Sequence, residues 1–512
     1  MKNNALLEPL IEKLVDITRL KEVQALLSWD QETVMSEGSI FARSEQSALI
    51  ATLIHSQYKN KEFEQALGQW VDLESGQCQQ GQLSEEEQQL VLEVYRDWHR
   101  MCALPSKFVS RFAQQCSQSQ QVWAKAREKN ERQIFMPYLK DMIELCQQKA
   151  HYWAPELSAY DALIDEYEPG VGMSQLDPLF KTLAQELSEL VLTLSEQSKS
   201  FPNLALSNLD EEQQWAFGES ILNEMGFNFN QGRQDRSTHP FTISMHPTDV
   251  RITTRFKEDD LMEGLSSSMH EGGHGLYEQG LNLDWYGTPF CEFTSLGIHE
   301  SQSRFWENLI GRSWHFWKRR YHRLQSQFPK QLAAISLKDF YTAIHRVRPS
   351  LIRVESDEAT YNLHIVIRYE VEKALFNGQV STKDLPEYWA SLYTQYLGVT
   401  PETDTEGFLQ DVHWSTGSFG YFPTYALGNL YASQLYQSLS VEMTGLDQVI
   451  EQGPLSTINE WMKQKVHRVG RARTAATLIE EATGQGLSTG PFIQYLKSKY
   501  AHIQEISTAT SS

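Results

Sequence analysis

Apolar and polar positions alternate along most of this chain with the 3.6-residue period of surface helices. In the opening segment "MKNNALLEPLIEKLVDITRL", Leu6, Leu7, Leu10, Ile11 and Leu14 fall on one side of a helix. Glu8, Glu12, Lys13 and Asp16 interrupt the apolar run, so the segment reads as an amphipathic helix rather than a signal peptide. "QSALIATLIHSQ" (46–57), "LSEEEQQLVLEVYRDWHRM" (83–101) and 174–195 repeat the pattern. Ser84 is placed to cap an acidic first turn in the second of these. Residues 1–200 therefore predict a succession of helices. "SNLDEEQQ" (207–214) is a surface connection, and no Pro/Gly/Ser-rich linker or repeat marks a domain boundary.

The period changes at "FTISMHPTDVRITTRF" (241–256). Phe241–Met245 and Val250–Phe256 are β-branched and alternating around the turn "HPTD", which predicts a hairpin. Helical spacing resumes over 258–280, 296–312 and 349–377, and again beyond 424. The closing "STATSS" reads as a frayed tail. The fold class is mainly α with a small antiparallel β-sheet or hairpin. The chain is read as one catalytic unit over 1–512, with a helical part at about 1–200 and a metal-site and substrate-groove part at about 201–505.

Composition excludes several functions. The 512 residues carry a net charge of −21, which opposes binding to nucleic acid or to anionic lipid. No segment reaches the roughly 18 consecutive apolar residues of a membrane span. The 5 cysteines are scattered and include no CxxC, which favours a reducing, cytoplasmic setting.

The candidate chemistry lies in "SSSMHEGGHGLYEQG" (266–280). On a helix, His270 and His274 sit one turn apart on the same face and can share one metal ion. Glu271 lies beside them, within reach of a water at that ion. Leu261, Leu265 and Leu276 form a separate apolar stripe that anchors the helix. Gly272 and Gly273 weaken a helix interior by about 1 kcal/mol each, so a ligand or a crowded helix contact passes close to the backbone. A catalytic site needs a third ligand. Glu300, 26 residues after His274 in "GIHESQSRFWENLI", is one candidate and His299 is the other.

From this point the sequence resembles the Taq-type thermostable zinc metallocarboxypeptidases, of the HExxH class, in order over nearly its whole length. The resemblance starts at "LLSWDQETVM" (26–35) and runs on to "GFLQDVHWSTGSFGYFPTYALGN". It is carried by DxRxT (Asp249, Arg251, Thr253), by HExxH, by His299-Glu300-Ser301-Gln302, and by GxxQDxHW (Gly407, Gln410, Asp411, His413, Trp414). One element departs: Ser356 stands where the RxxAD pattern has Ala, between Arg353 and Asp357. The resemblance implies His270, His274 and Glu300 as ligands of one Zn2+, with Co2+ or Mn2+ as possible substitutes, and Glu271 as general base. It also implies a two-lobed helical body around a deep groove, broad specificity, a cytoplasmic location and a homodimer.

A carboxypeptidase must recognise the free C-terminus of a peptide, for which the arginine fork is best suited. A helix starting near Pro349 would place Arg353, Asp357, Thr360 and His364 on one stripe. Arg353 is the expected clamp, with Asp357 or His364 in support and Arg251 as the next candidate. Asp249, Arg251 and Thr253 alternate along a strand and so share a face that could line an added peptide strand. In "QDVHWSTGSFGYFPTY", His413 and Tyr421 are the expected oxyanion donors, with Tyr425 in reserve. Two other readings stay open: an endo-oligopeptidase with the same metal site, and a non-catalytic peptide-binding protein.

Overall fold

The computed structural model describes residues 6–79, 81 and 83–508. Among these, regular structure is helical apart from one three-stranded sheet and a single bridge between Val71 and Cys78. The mainly α expectation holds. No helix among the described residues is long and apolar enough to cross a membrane. The chain divides into two compact units, each assembled from three separate stretches. The first comprises Met1–Cys102, Ala205–Leu337 and Leu435–Gly486; the second comprises Ala103–Leu204, Lys338–Gln434 and Leu487–Ser512.

In the first unit, the N-terminal helix Glu8–Thr33 buries Leu7, Leu10, Leu14 and Ile17, spaced three or four residues apart. They join Phe63, Leu67, Leu90, Val91, Val94 and Phe290 in one apolar cluster. Leu6 does not join them: it precedes the helix and is 45% exposed. The helix Glu85–Ala103 opens as expected. The Glu87 backbone N–H donates to Ser84 Oγ, and the Ser84 N–H donates back to the Glu87 carboxylate.

The sheet has the order β1-β3-β2, with β1 at Gly232–Arg236, β2 at Thr242–His246 and β3 at Asp249–Thr254. β2 and β3 form the predicted antiparallel hairpin. β1 pairs parallel to β3 and was not expected, because "GRQDR" carries no alternation of apolar residues. Buried Val250 and Ile252 turn one face of β3 toward the helix Leu261–Gly280, where Ile252 packs close to Gly275.

That helix starts where the Asp260 side chain accepts the N–H groups of Met262 and Glu263. Its Leu261, Leu265 and Leu276 are buried, as the stripe requires. The crowded contact accounts for its two glycines. A Cβ on Gly272 would meet Leu222 Cδ2 at 2.4 Å, and one on Gly273 would meet the Gln302 carbonyl oxygen at 2.5 Å. The second glycine lets the backbone of the helix Leu296–Arg304 come close, bringing Glu300 within range of the two histidines.

In the second unit, the helix Met173–Ser198 buries Leu176, Phe180, Leu183, Leu187, Val191 and Leu194 at helical spacing. The helix expected over 349–377 is shorter and spans Tyr361–Phe376. The Asp357 carboxylate captures the N–H groups of Ala359 and Thr360 and so starts the helix there. Arg353–Glu355 is a separate 3₁₀ turn, and the one-stripe arrangement of Arg353 with His364 is therefore not formed. At the C-terminus, Ser507 and Thr508 still belong to the helix Gly490–Thr508, while positions 509–512 of the expected tail lie outside the described residues.

Candidate metal centre

The first unit brings His270, His274 and Glu300 together. One ligand atom from each lies within 4.8 Å of the others. Glu300 Oε2 stands 3.6 Å from His270 Nε2 and 3.5 Å from His274 Nε2. Two donors bonded at about 2.0–2.1 Å to a tetrahedral ion stand about 3.3–3.5 Å apart, so these residues fit such an ion. His299, the competing candidate, is turned away: its Nε2 pairs with Glu278 Oε1 at 3.0 Å. Its ring instead stacks on His274, with centroids 4.3 Å apart.

A surrounding set of contacts fixes the donors. His270 Nδ1 meets Glu307 Oε2 at 2.9 Å, which leaves Nε2 as the edge facing Glu300. Arg304 Nε donates to Glu300 Oε1 at 2.7 Å, and Ser303 Oγ donates to Glu300 Oε2 at 2.9 Å. Glu307 lies in the π-turn Phe305–Ile310 that continues the Glu300 helix, a feature frequent at functional sites. Glu271 is buried, and its Oε2 accepts from Thr242 Oγ1 at 2.7 Å. Strand β2 thus orients the carboxylate.

Burial and mutual charge shift the groups of this cluster strongly. Burial pulls His270 down, but Glu300 and Glu307 outweigh it and lift the imidazole to about 9. Burial and the neighbouring His299 hold His274 at about 3. Burial opposes the charge on Glu300, yet Arg304 and His270 keep its carboxyl well below the usual range. Burial raises Glu271, with His270 and Thr242 working the other way. Arg304 pairs with both Glu300 and Glu307, and Glu271 adds its charge to theirs at His270.

On the sheet of the same unit, Arg251 forks onto Asp249 with two contacts of 2.9 Å. The Arg251 guanidinium lies 4.3 Å from the ring centroid of Trp29. Thr253 is fully buried; its hydroxyl accepts from the Phe241 N–H and from Ser237 Oγ.

The second unit holds the other expected residues. Arg353 is buried at 7% exposure. Its Nε and Nη2 donate to Asp411 Oδ1 at 3.0 and 2.9 Å, and its Nη1 donates to Tyr361 Oη at 3.1 Å. Arg368 Nε takes the other Asp411 oxygen at 2.7 Å. Burial would raise Asp411, but Arg368 and Arg353 hold it far below the usual carboxylate range. His413 is packed against Phe422 and Tyr421, with ring centroids 4.6 and 5.4 Å away. Its Nε2 is 3.4 Å from Tyr425 Oη, and burial holds its pKa near 4. Asp357 and His364 face inward, onto backbone N–H groups and onto Tyr393 Oη respectively.

Comparison with known proteins agrees with this geometry. Residues 10–500 match the family described as carboxypeptidase Taq (M32) metallopeptidase. The chain belongs to that family. Thermostable carboxypeptidase 1 of Thermus thermophilus is 39% identical over 513 residues, covering 98% of this chain and 99% of that one. Carboxypeptidase 1 of Bacillus subtilis is 38% identical over 491 residues, covering 95% and 96%. The crystal structure of the M32 carboxypeptidase from Deinococcus radiodurans superposes with a TM-score of 0.92 at 34% identity, covering 98% of this chain and 100% of that one. The protein is therefore a metallocarboxypeptidase, a hydrolase of peptides that works with a metal cofactor.

In this M32 chain, three residues that stand one contact behind the expected ones carry little signal of their own in the sequence. Glu307 follows Glu300 by seven residues, about two helical turns, and that spacing was the available signal. Asp411 lies inside the quoted GxxQDxHW pattern, but its two arginine partners could not be read from spacing. Thr242 had no signal beyond its place in a predicted strand.

Proposed function

We propose that this enzyme is a zinc-dependent carboxypeptidase that removes single C-terminal residues from peptides with broad specificity. One observation carries the reading: two imidazole nitrogens and one carboxylate oxygen converge within 4.8 Å beside a buried glutamate. Two nitrogen donors and one oxygen suit zinc better than magnesium or calcium, with cobalt or manganese as substitutes. His270, His274 and Glu300 would hold the ion, which supplies Lewis acidity that activates water and polarises the substrate carbonyl.

Glu271 takes the proton of the attacking water on its carboxylate and later delivers it to the leaving amine. Its anchorage on Thr242 supports that role, because a general base must hold one orientation through both transfers. Tyr421 and His413 donate to the developing oxyanion. The low pKa of His413 keeps its ring neutral at pH 7, so it can donate from one nitrogen only.

Arg353 recognises the substrate carboxylate. Asp411 accepts from Nε and Nη2 and Tyr361 Oη accepts from Nη1, which fixes the plane of the guanidinium; the remaining Nη hydrogens meet the substrate carboxylate. Asp249 and Arg251 contact substrate from the sheet, and the buried Thr253 supports their strand through Phe241 and Ser237. The five free cysteines support a reducing, cytoplasmic setting. The homodimer rests on the family resemblance.

The test is metal exchange. Chelator-treated enzyme should lose hydrolysis of a free-ended peptide and regain it with one equivalent of zinc. Glu271→Gln should keep the zinc and lose kcat by on the order of 10²–10⁴-fold. Full activity in either the stripped enzyme or the variant would refute the reading.

A further inference from the structure

The segment that carries His413 and Tyr421 is tied at both ends to a single buried carboxylate. Glu372, on the helix Tyr361–Phe376, has no exposed surface. Its Oε1 accepts from Trp414 Nε1 at 2.6 Å. Its Oε2 accepts from the Gly420 backbone N–H and from Tyr160 Oη, each at 2.9 Å. Trp414 follows His413 directly and Gly420 precedes Tyr421 directly. One side chain therefore sets both points where the loop hands over to the two proposed donors.

The rest of the loop has little freedom of its own. The Ser418 N–H closes it onto the His413 carbonyl at 2.9 Å. The Cys116 and Cys146 thiols donate to the Thr416 and Gly417 carbonyls at 3.3 and 3.5 Å. Gly420 has φ +84°, and a Cβ there would lie 2.6 Å from the Leu163 carbonyl carbon. The loop is thus pressed against the helix Ala159–Tyr167, which also supplies Tyr160. Between these supports the Glu372 carboxylate joins three donors, two from the loop and one from the helix Ala159–Tyr167. Burying a carboxylate is costly unless its oxygens are satisfied, and here both are.

We propose that Glu372 is a positioning residue for the reaction: by gripping Trp414 and Gly420 it sets the placement of His413 and Tyr421. The proposal rests on the reading that those two residues serve the transition state. Glu372 itself touches none of the reacting atoms; it acts through the loop.

Glu372→Gln is the informative variant. A glutamine offers one acceptor oxygen and one NH2 group, so a donor faces a donor at one end of the loop. The expected result, with zinc content unchanged, is a roughly tenfold to hundredfold fall in kcat with KM within about twofold, approaching the loss from deleting an oxyanion donor. In the Tyr421→Phe background, Glu372→Gln should cost less than it does in the wild type, because the part of its effect that acts through Tyr421 is already gone. Full kcat in Glu372→Gln, or complete additivity with Tyr421→Phe, would overturn the proposal while leaving the carboxypeptidase reading intact. Full kcat in both Tyr421→Phe and His413→Gln would instead remove the loop from the chemistry and defeat the proposal with it. If Glu372→Gln folds poorly, Tyr160→Phe keeps the ring and deletes only the hydroxyl that donates to Glu372; a loss in kcat of about threefold or more is expected, and an unchanged kcat would count against the idea.

Discussion

His270 Nδ1 and the Glu307 carboxylate lie 2.9 Å apart, on the ring edge opposite the nitrogen that faces Glu300. This contact selects the tautomer that presents Nε2 and makes that nitrogen a stronger donor. Glu307→Gln should therefore weaken zinc binding by about 10–100-fold, without removing a ligand. Competition against a chelator of known affinity measures it. Wild-type affinity in the variant would mean that packing alone orients the imidazole.

The two glycines of the motif should respond differently to alanine. Gly273 faces the backbone of Gln302, which cannot give way without shifting the helix that carries Glu300. Gly272 faces the end of the Leu222 side chain, which can rotate. Gly273→Ala should cost about 1–3 kcal/mol and lower zinc affinity, and Gly272→Ala should cost less. Urea midpoints and zinc titrations of both variants give the comparison, and the reverse order would contradict the close-approach argument.

Asp411 is the shared anion of two buried guanidiniums, Arg353 and Arg368. Asp411→Asn leaves both positive charges without their counterion. The expected loss is about 3–5 kcal/mol, read as a shift of the urea midpoint. A loss under about 1 kcal/mol would show that the arginines find other partners.

The low pKa of His413 makes a prediction about acid stability. Burial holds the folded value near 4, below the ordinary 6.5. Between those values the unfolded chain binds more protons at this site, so its contribution to stability is lost as pH falls from about 6.5 towards 4. Glu372 has the opposite sign. Burial lifts its carboxyl to about 7, and its contribution falls as pH rises from 4.5 to that value. His413→Gln should therefore flatten the drop in Tm between pH 6.5 and 4 relative to the wild type. Parallel Tm profiles would mean that the ring is protonated in the folded protein.

Much of the site was legible because helical periodicity is a strong signal. The spacing of four puts His270 and His274 on one helix face, and the separate stripe of Leu261, Leu265 and Leu276 anchors that helix in the core. Spacing alone could not choose between Glu300 and His299, since both are near the start of the same helix. The choice is made by Glu278, which holds His299 away. β1 was invisible because its polar sequence is stabilised by pairing with β3 rather than by a buried face. The helix expected over 349–377 is shorter because Asp357 starts it through side-chain hydrogen bonds, which leave the apolar spacing untouched. The division into two units left no mark on composition, since the chain passes between them without a linker of distinct character.

The most direct test of the central claim is mass spectrometry of one peptide offered with a free and with an amidated C-terminus, to zinc-loaded wild type and to Glu271→Gln. The account predicts stepwise loss of single C-terminal residues from the free peptide only, abolished in the variant. Internal cleavage of both peptides, or trimming that persists in Glu271→Gln, would contradict it.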